Sequence, residues 1–241
     1  MDIGILVTSN DSTDLATRFP HDGIKFIQLL QPLRPDWKLD CIMVKDGVFP
    51  RNIDDYDGYV ICGSPASVND DDLWIQHLFE MIRKVHAQKI PTIGLCFGHQ
   101  AIAMALGGTV EESDKGWGLG TAPTHFTQHK PWMTPKHKTL TLYSAHHEQV
   151  SSLPDGAEII GGDEFCKIAA FTIGEHIFTS EYHPEMNKEF MSAVADQLEG
   201  HIPQSVIDKA RNDIDEGEEG KIFGLWMVQF FEYNFNSRQS I

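Results

Sequence analysis

Four short apolar runs fall within the first hundred residues, at 3–7, 39–44, 59–62 and 92–95, and stretches of helical period at 22–33, 72–88 and 100–106 alternate with them. Strands and helices in alternation predict an open, mostly parallel α/β sheet flanked by helices, of the flavodoxin-like kind. The helix at 100–106 stops at Gly107-Gly108. Beyond it the pattern becomes strand-like and closely spaced, at 109–111, 122–126, 139–143, 157–161, 168–172 and 176–180, with Ile173-Gly174-Glu175 between the last two. That spacing predicts an antiparallel extension beside the parallel core. From Asn187 onward the pattern is helical, broken at 200–203 and at an acidic loop over 213–220, with C-terminal helices over about 204–236. No internal repeat and no long linker divides the chain, so 1–241 reads as a single domain.

The densest chemistry lies in Gly94-Leu95-Cys96-Phe97-Gly98-His99-Gln100, where one cysteine sits between two glycines at a strand-to-helix junction. A nucleophile elbow needs small flanking residues because the turn is sharp, and it aims the following amide at the reacting carbonyl. The helix that follows adds the positive end of its dipole, which favours thiolate over thiol. A cysteine nucleophile also needs a base and a group to orient that base. Glu181-Tyr182-His183-Pro184-Glu185 offers both in one stretch: His183 to take the thiol proton and Glu185 to hold the imidazole tautomer. In open α/β sheets the site lies at the carboxyl ends of the strands. Cys96 and the segment Cys62-Gly63-Ser64-Pro65 both occupy such ends.

These residues resemble the class I, triad-type glutamine amidotransferases, whose glutaminase domains carry G-x-C-x-G-x-Q and then H-P-E at an interval like that between Cys96 and His183. The likeness extends over most of the chain. Cys62-Gly63-Ser64-Pro65 is similar to the family's oxyanion-hole loop, and Ser144-Ala145-His146-His147-Glu148-Gln149-Val150 to its substrate-contacting H-x-D-x-V segment. Residues 115–120 and 222–226 resemble the free-standing members akin to the glutaminase half of GMP synthase. The resemblance implies a Cys96-His183-Glu185 triad, an oxyanion hole from the amides of Ser64 and Phe97, and substrate contacts from Gly63, Gln100 and the main chain of His147 and Glu148. It implies glutamine or another γ-glutamyl amide as substrate, cleaved through a γ-glutamyl thioester on Cys96. Two departures stand out: Ser64 where the family often has glycine, and Glu148 where aspartate is common. The second implies shifted specificity more than lost activity.

Composition narrows the setting. A formal charge of −16 argues against sequence-independent binding to nucleic acid or to an anionic membrane. The cysteines at 41, 62, 96 and 166 form no C-x-x-C pair, which suits a reducing, cytoplasmic compartment. No secretory leader and no run of 18 apolar residues is legible. His125, His129, His137, His146 and His147 lack the ligand spacing of a metal site, and residues 116–120 lack the strand-then-helix setting of a phosphate loop, so no metal or cofactor is expected. Asp70-Asp71-Asp72 reads as a helix cap, residues 215–219 as a solvated loop, and Asn10-Asp11-Ser12 as a chance glycosylation match. Phe223, Trp226, Phe230, Phe231, Tyr233 and Phe235 have partly helical spacing and read as core rather than as a partner surface. Three functions remain. One is a glutaminase that supplies ammonia to a separate synthase, because the chain carries no S-G-G-x-D-S loop of its own. The second is a free-standing γ-glutamyl peptidase or hydrolase. The third, a non-catalytic binding module, conflicts with the intact set Cys96, His183 and Glu185.

Overall fold

The computed structural model describes residues 1–9, 11–214 and 219–239; Asn10, residues 215–218 of the acidic loop and the last two residues lie outside them. The first half runs β1 (Asp2–Leu6), α1 (Asp14–Arg18), α2 (Asp22–Leu30), β2 (Lys38–Ile42), β3 (Gly58–Ile61), α3 (Leu73–Ala87), β4 (Thr92–Leu95), α4 (Phe97–Ala105). The second half runs β5 (Thr109–Glu112), β6 (Gly118–Phe126), β7 (Thr139–His146), β8 (Glu148–Ser152), β9 (Ala157–Gly162), β10 (Ala170–Ile173), β11 (Ile177–Ser180), α5 (Lys188–Leu198), α6 (Gln204–Asp213), α7 (Gly220–Gln239).

One nine-stranded sheet, ordered β2-β1-β3-β4-β11-β10-β9-β6-β7, carries the fold. Pairings from β2 through β11 are parallel, and those from β11 to β7 are antiparallel. The parallel core with an antiparallel extension is therefore as the sequence pattern predicts. Strands β5 and β8 form a separate antiparallel ribbon. Strand order reverses between β1 and β3, the switch point where open α/β sheets place their sites.

Side chains of the parallel strands alternate between two apolar layers. Ile3, Ile5, Val60, Ile93 and Leu95 pack with Phe26 and Leu30 of α2 and with Phe223, Trp226 and Phe230 of α7. Leu6, Tyr59 and Ile61 face Ile75, Leu78 and Ile82 of α3 and Ile102 of α4. The C-terminal aromatics are thus core: Phe223 stacks on Phe178 at 5.1 Å between ring centroids, and Phe230 meets Trp132 edge-on at the same distance. Tyr233 and Phe235 are half-buried at the end of that row.

Several boundaries differ from the sequence reading, each for a physical reason. Helix α4 begins at Phe97 rather than at Gln100, because the chain turns entirely within Cys96. Strand β6 begins at Gly118, inside what reads as a glycine-rich loop. Strand β8 and the short α1 went unseen: Glu148-Gln149-Val150-Ser151-Ser152 has one apolar residue, and a five-residue helix is too short to show a period. Asp72 does occupy the N-cap of α3, but its carboxylate accepts from the Trp74 indole at 3.2 Å, not from a helix amide. No described helix is long and apolar enough to cross a membrane.

Candidate active site

Three neighbouring parallel strands deliver the candidate residues at their carboxyl ends: β3 leads into Gly63 and Ser64, β4 into Cys96, and β11 into Glu181, His183 and Glu185. Cys96 has φ 48° and ψ −106°, a left-handed conformation uncommon for a residue with a Cβ. It is held there from both sides. The Cys96 amide donates to the Ser180 carbonyl at 2.8 Å, and the Gly98 amide donates to the Cys62 carbonyl at 3.1 Å. A Cβ on Gly98 would run into the Ile61 carbonyl, so glycine there lets α4 sit directly on β3. Such strain survives only where the surroundings over-determine it, and it clusters at functional sites.

The loop after β3 is tied down by Thr8, at the end of β1 and missed in the sequence reading. Its hydroxyl lies 3.0 Å from the Cys62 carbonyl and 2.8 Å from that of Gly63. Ser64 Oγ donates to the Thr8 carbonyl at 2.8 Å and accepts from the Ala66 amide at 3.1 Å. Phe97 opens α4, so its amide is one of those a helix leaves without an internal acceptor; it is directed at the Cys96 sulfur.

His183 Nδ1 lies 2.7 Å from Glu185 Oε1, and the His183 amide donates to the Tyr143 carbonyl at 2.8 Å. Cys96, His183 and Glu185 are 6%, 4% and 8% exposed. Gly63 sits between the first two: a Cβ there would stand 2.8 Å from His183 Cε1 and 3.7 Å from Cys96 Cβ. Gln100 spends its amide on the Glu148 carbonyl at 3.0 Å and on Glu181 Oε1 at 2.9 Å. Glu148 Oε1 accepts from Ser67 Oγ at 2.8 Å and Asn69 Nδ2 at 3.1 Å, which fixes the start of β8. The His147 ring packs on Trp117 at 4.7 Å, giving the glycine-rich segment a wall to build.

Gly63, Ser64, Cys96, Gln100, Trp117, His147, Glu148 and His183 line one cavity of about 480 Å³, whereas Thr8, Phe97, Glu181 and Glu185 do not reach it. Its lining also includes the apolar side chains of Leu15, Phe19, Met43, Phe190 and Val194. The buried pair Asp22–Lys25 at 2.9 Å also faces it, with Lys25 Nζ 3.2 Å above the Phe190 ring. Burial raises the Asp22 carboxyl and Lys25 opposes the rise. The i,i+3 spacing on α2 is legible as a helix-surface ion pair, but nothing in the sequence marks that it faces the cavity.

Burial pushes the Cys96 thiol well above its ordinary range, with Glu181 and Glu185 adding to the rise and the Phe97 amide opposing it. Burial thus acts against the expected helix-end preference for thiolate, because desolvating a charge costs free energy that a helix end returns only in part. A small neutral alkylating agent at neutral pH should label half-exposed Cys41 first and Cys96 late, read by peptide mass mapping. Labelling of Cys96 ahead of Cys41 would show that the thiolate is already formed. Among the described residues no cluster has the makings of a metal site; His125 bonds Thr139 and His129 bonds the His137 carbonyl.

Comparison with known proteins agrees with this geometry. Residues 38–194 match the family model for glutamine amidotransferase class-I. The chain is 31% identical over 197 residues to Gamma-glutamyl peptidase 3 of Arabidopsis thaliana, covering 78% of each. It is 32% identical over 150 residues to a glutamine-hydrolyzing GMP synthase of Porphyromonas gingivalis, covering 61% of this chain and 28% of the synthase. A glutamine amidotransferase structure from Thermotoga maritima superposes with a TM-score of 0.75 at 16% identity, covering 96% of this chain and 98% of the other. On its strand order and on a family match that spans both Cys96 and His183, the chain belongs to the class I glutamine amidotransferase family.

Proposed function

We propose that the chain is a free-standing γ-glutamyl hydrolase that works through a Cys96-His183-Glu185 triad and accepts leaving groups larger than ammonia. The observation that carries this reading is the cavity: besides Cys96 and His183 its lining includes Phe19, Met43, Phe190 and Val194, apolar room that the carboxamide nitrogen of glutamine does not use. Relatives named γ-glutamyl peptidase, matched over about three quarters of their length or more, support it.

In the proposed reaction, His183 takes the thiol proton as Cys96 attacks the γ-carbonyl. The amides of Phe97 and Ser64 receive the oxyanion. His183 returns the proton to the departing amine, leaving a γ-glutamyl thioester, and then activates the water that releases glutamate. Glu185 holds the imidazole and stabilises its cationic form. Gly63 leaves space for the ring, while Gln100 fixes the Glu148 carbonyl and the Ser113 amide that of His147, the main chain that would grip the amino-acid end.

The test is glutamate release from glutamine and from a panel of γ-glutamyl amides and dipeptides. Burying about 60 Å² of an apolar leaving group at about 25 cal/mol per Å² contributes about 1.5 kcal/mol, or roughly tenfold in kcat/KM over glutamine. The match to GMP synthase favours a second reading, a glutaminase that supplies a separate synthase. Weak turnover confined to glutamine would support that reading, and no enzymatic release at all would support a binding module.

A further inference from the structure

Glu181 takes no part in the reaction just described, yet it lies directly behind the nucleophile, fully buried. Its Oε1 accepts from Gln100, and the Cys96 thiol is within hydrogen-bond reach of the same carboxyl. Oε2 is buried with no hydrogen-bond partner, 3.5 Å from His99 Nε2, which is buried and unpartnered in turn. Two orphaned polar atoms facing each other in a core are costly unless a proton joins them.

The neighbours decide where that proton sits. Thr179 Oγ1 donates to the Phe171 carbonyl at 3.1 Å and accepts from the Phe171 amide at 3.2 Å. With that hydrogen spent on Phe171, the contact with His99 Nδ1 at 2.8 Å is assigned as a donation from the ring, which puts the lone pair on Nε2, toward Glu181; the Ile168 backbone also lies beside this ring. The groups facing Glu181 are His99 and Gln100 on α4, His146 on β7, Glu148 on β8, and Cys96 and Cys166 on the flanking loops. Neither lysine nor arginine is among them. Burial holds His99 down to about 3 and His146 down to about 4, so neither supplies a cation. A carboxylate without a cation in such a place is far more expensive than a carboxylic acid.

We propose that Glu181 is carried as a neutral carboxylic acid that donates to His99 Nε2 and, in that form, positions the Cys96 thiol and Gln100 for attack. Burial pushes the Glu181 carboxyl well above its ordinary range, in the same sense. Ionised, it would set a negative charge against the thiolate that Cys96 must become; neutral, it leaves that step to His183. Glu181 is a positioning residue, and its kinetic role rests on the hydrolase reading above.

Infrared difference spectroscopy of the full chain against Glu181→Gln, at neutral pH without substrate, tests the protonation by itself. The expected result is a protonated-carboxyl C=O stretch that the glutamine variant lacks. Carboxylate bands in its place would overturn the proposal whatever the substrate proves to be. For the positioning role, Glu181→Ala is expected to lower kcat by roughly 10- to 100-fold with little change in KM, as befits orphaned partners around the nucleophile. Glu181→Gln, neutral and of the same shape, should recover most of that loss. A glutamine variant as slow as the alanine one would overturn the positioning role, and the infrared band is readable in the glutamine variant even where the alanine variant fails to fold.

Discussion

Alanine at position 96 is expected to abolish release of glutamate from every γ-glutamyl substrate the chain accepts, a loss on the order of 10⁴-fold or more in kcat/KM. Nucleophile and base act as a unit, so removing the sulfur leaves only binding and the oxyanion donors. Substitution elsewhere in the chain cannot compensate. Cys62 and Cys166 are fully buried, and Cys62 points into the apolar layer under α2 and α7. Cys41 stands on β2, which lies three strands away from β4 in the sheet order. The fold should tolerate the change: alanine meets the same positive φ as cysteine, and the small void costs about 1 to 2 kcal/mol. A cooperative unfolding transition lowered by only a few degrees, with no turnover, would localise the effect to chemistry. Residual Cys96-independent turnover above about one part in a hundred would identify another nucleophile, because a triad without its nucleophile retains far less.

What was legible in the sequence follows contact range. The elbow and Glu181-Tyr182-His183-Pro184-Glu185 are contiguous, and a strand followed by a helix is enough to place each at a strand end. The sheet's parallel half was equally legible, because both faces of β1, β3 and β4 are apolar and the helices between them are periodic. Thr8 was not, because a threonine after an apolar run carries no mark of the two carbonyls it holds in a loop more than 50 residues on. Trp117 against His147 and the Glu181–His99 contact are likewise made by tertiary packing alone, and the i,i+3 pair Asp22–Lys25, though local to α2, gives no sign in the sequence that it faces the cavity. The helix-end expectation for the Cys96 thiol is opposed by burial for a related reason. The helix end is a local feature, whereas desolvation of Cys96 depends on everything packed above it.

Gly63→Ala should cut kcat by roughly 100-fold while leaving KM and folding nearly intact, an effect that local sequence rules attribute to no active-site glycine outside the elbow. A Cβ at this position stands 2.8 Å from His183 Cε1, nearer than two carbons approach, and 3.6 Å from Nδ1. Something must move, and both sides are held. The imidazole is fixed by Glu185 at 2.7 Å and by the His183 amide on Tyr143; the loop is fixed by Thr8 through the Cys62 and Gly63 carbonyls. If the ring yields, the base is displaced from the sulfur; if the loop yields, the Ser64 amide leaves the place proposed for the oxyanion. Either displacement is of the order of 1 Å, enough for about a hundredfold loss when reacting groups are otherwise aligned. Overpacking of this kind costs about 1 to 3 kcal/mol, a Tm shift measurable by calorimetry but short of unfolding. A Gly63→Ala enzyme within threefold of the natural kcat would mean that His183 does not approach Cys96 along this path, and the base would have to be sought elsewhere.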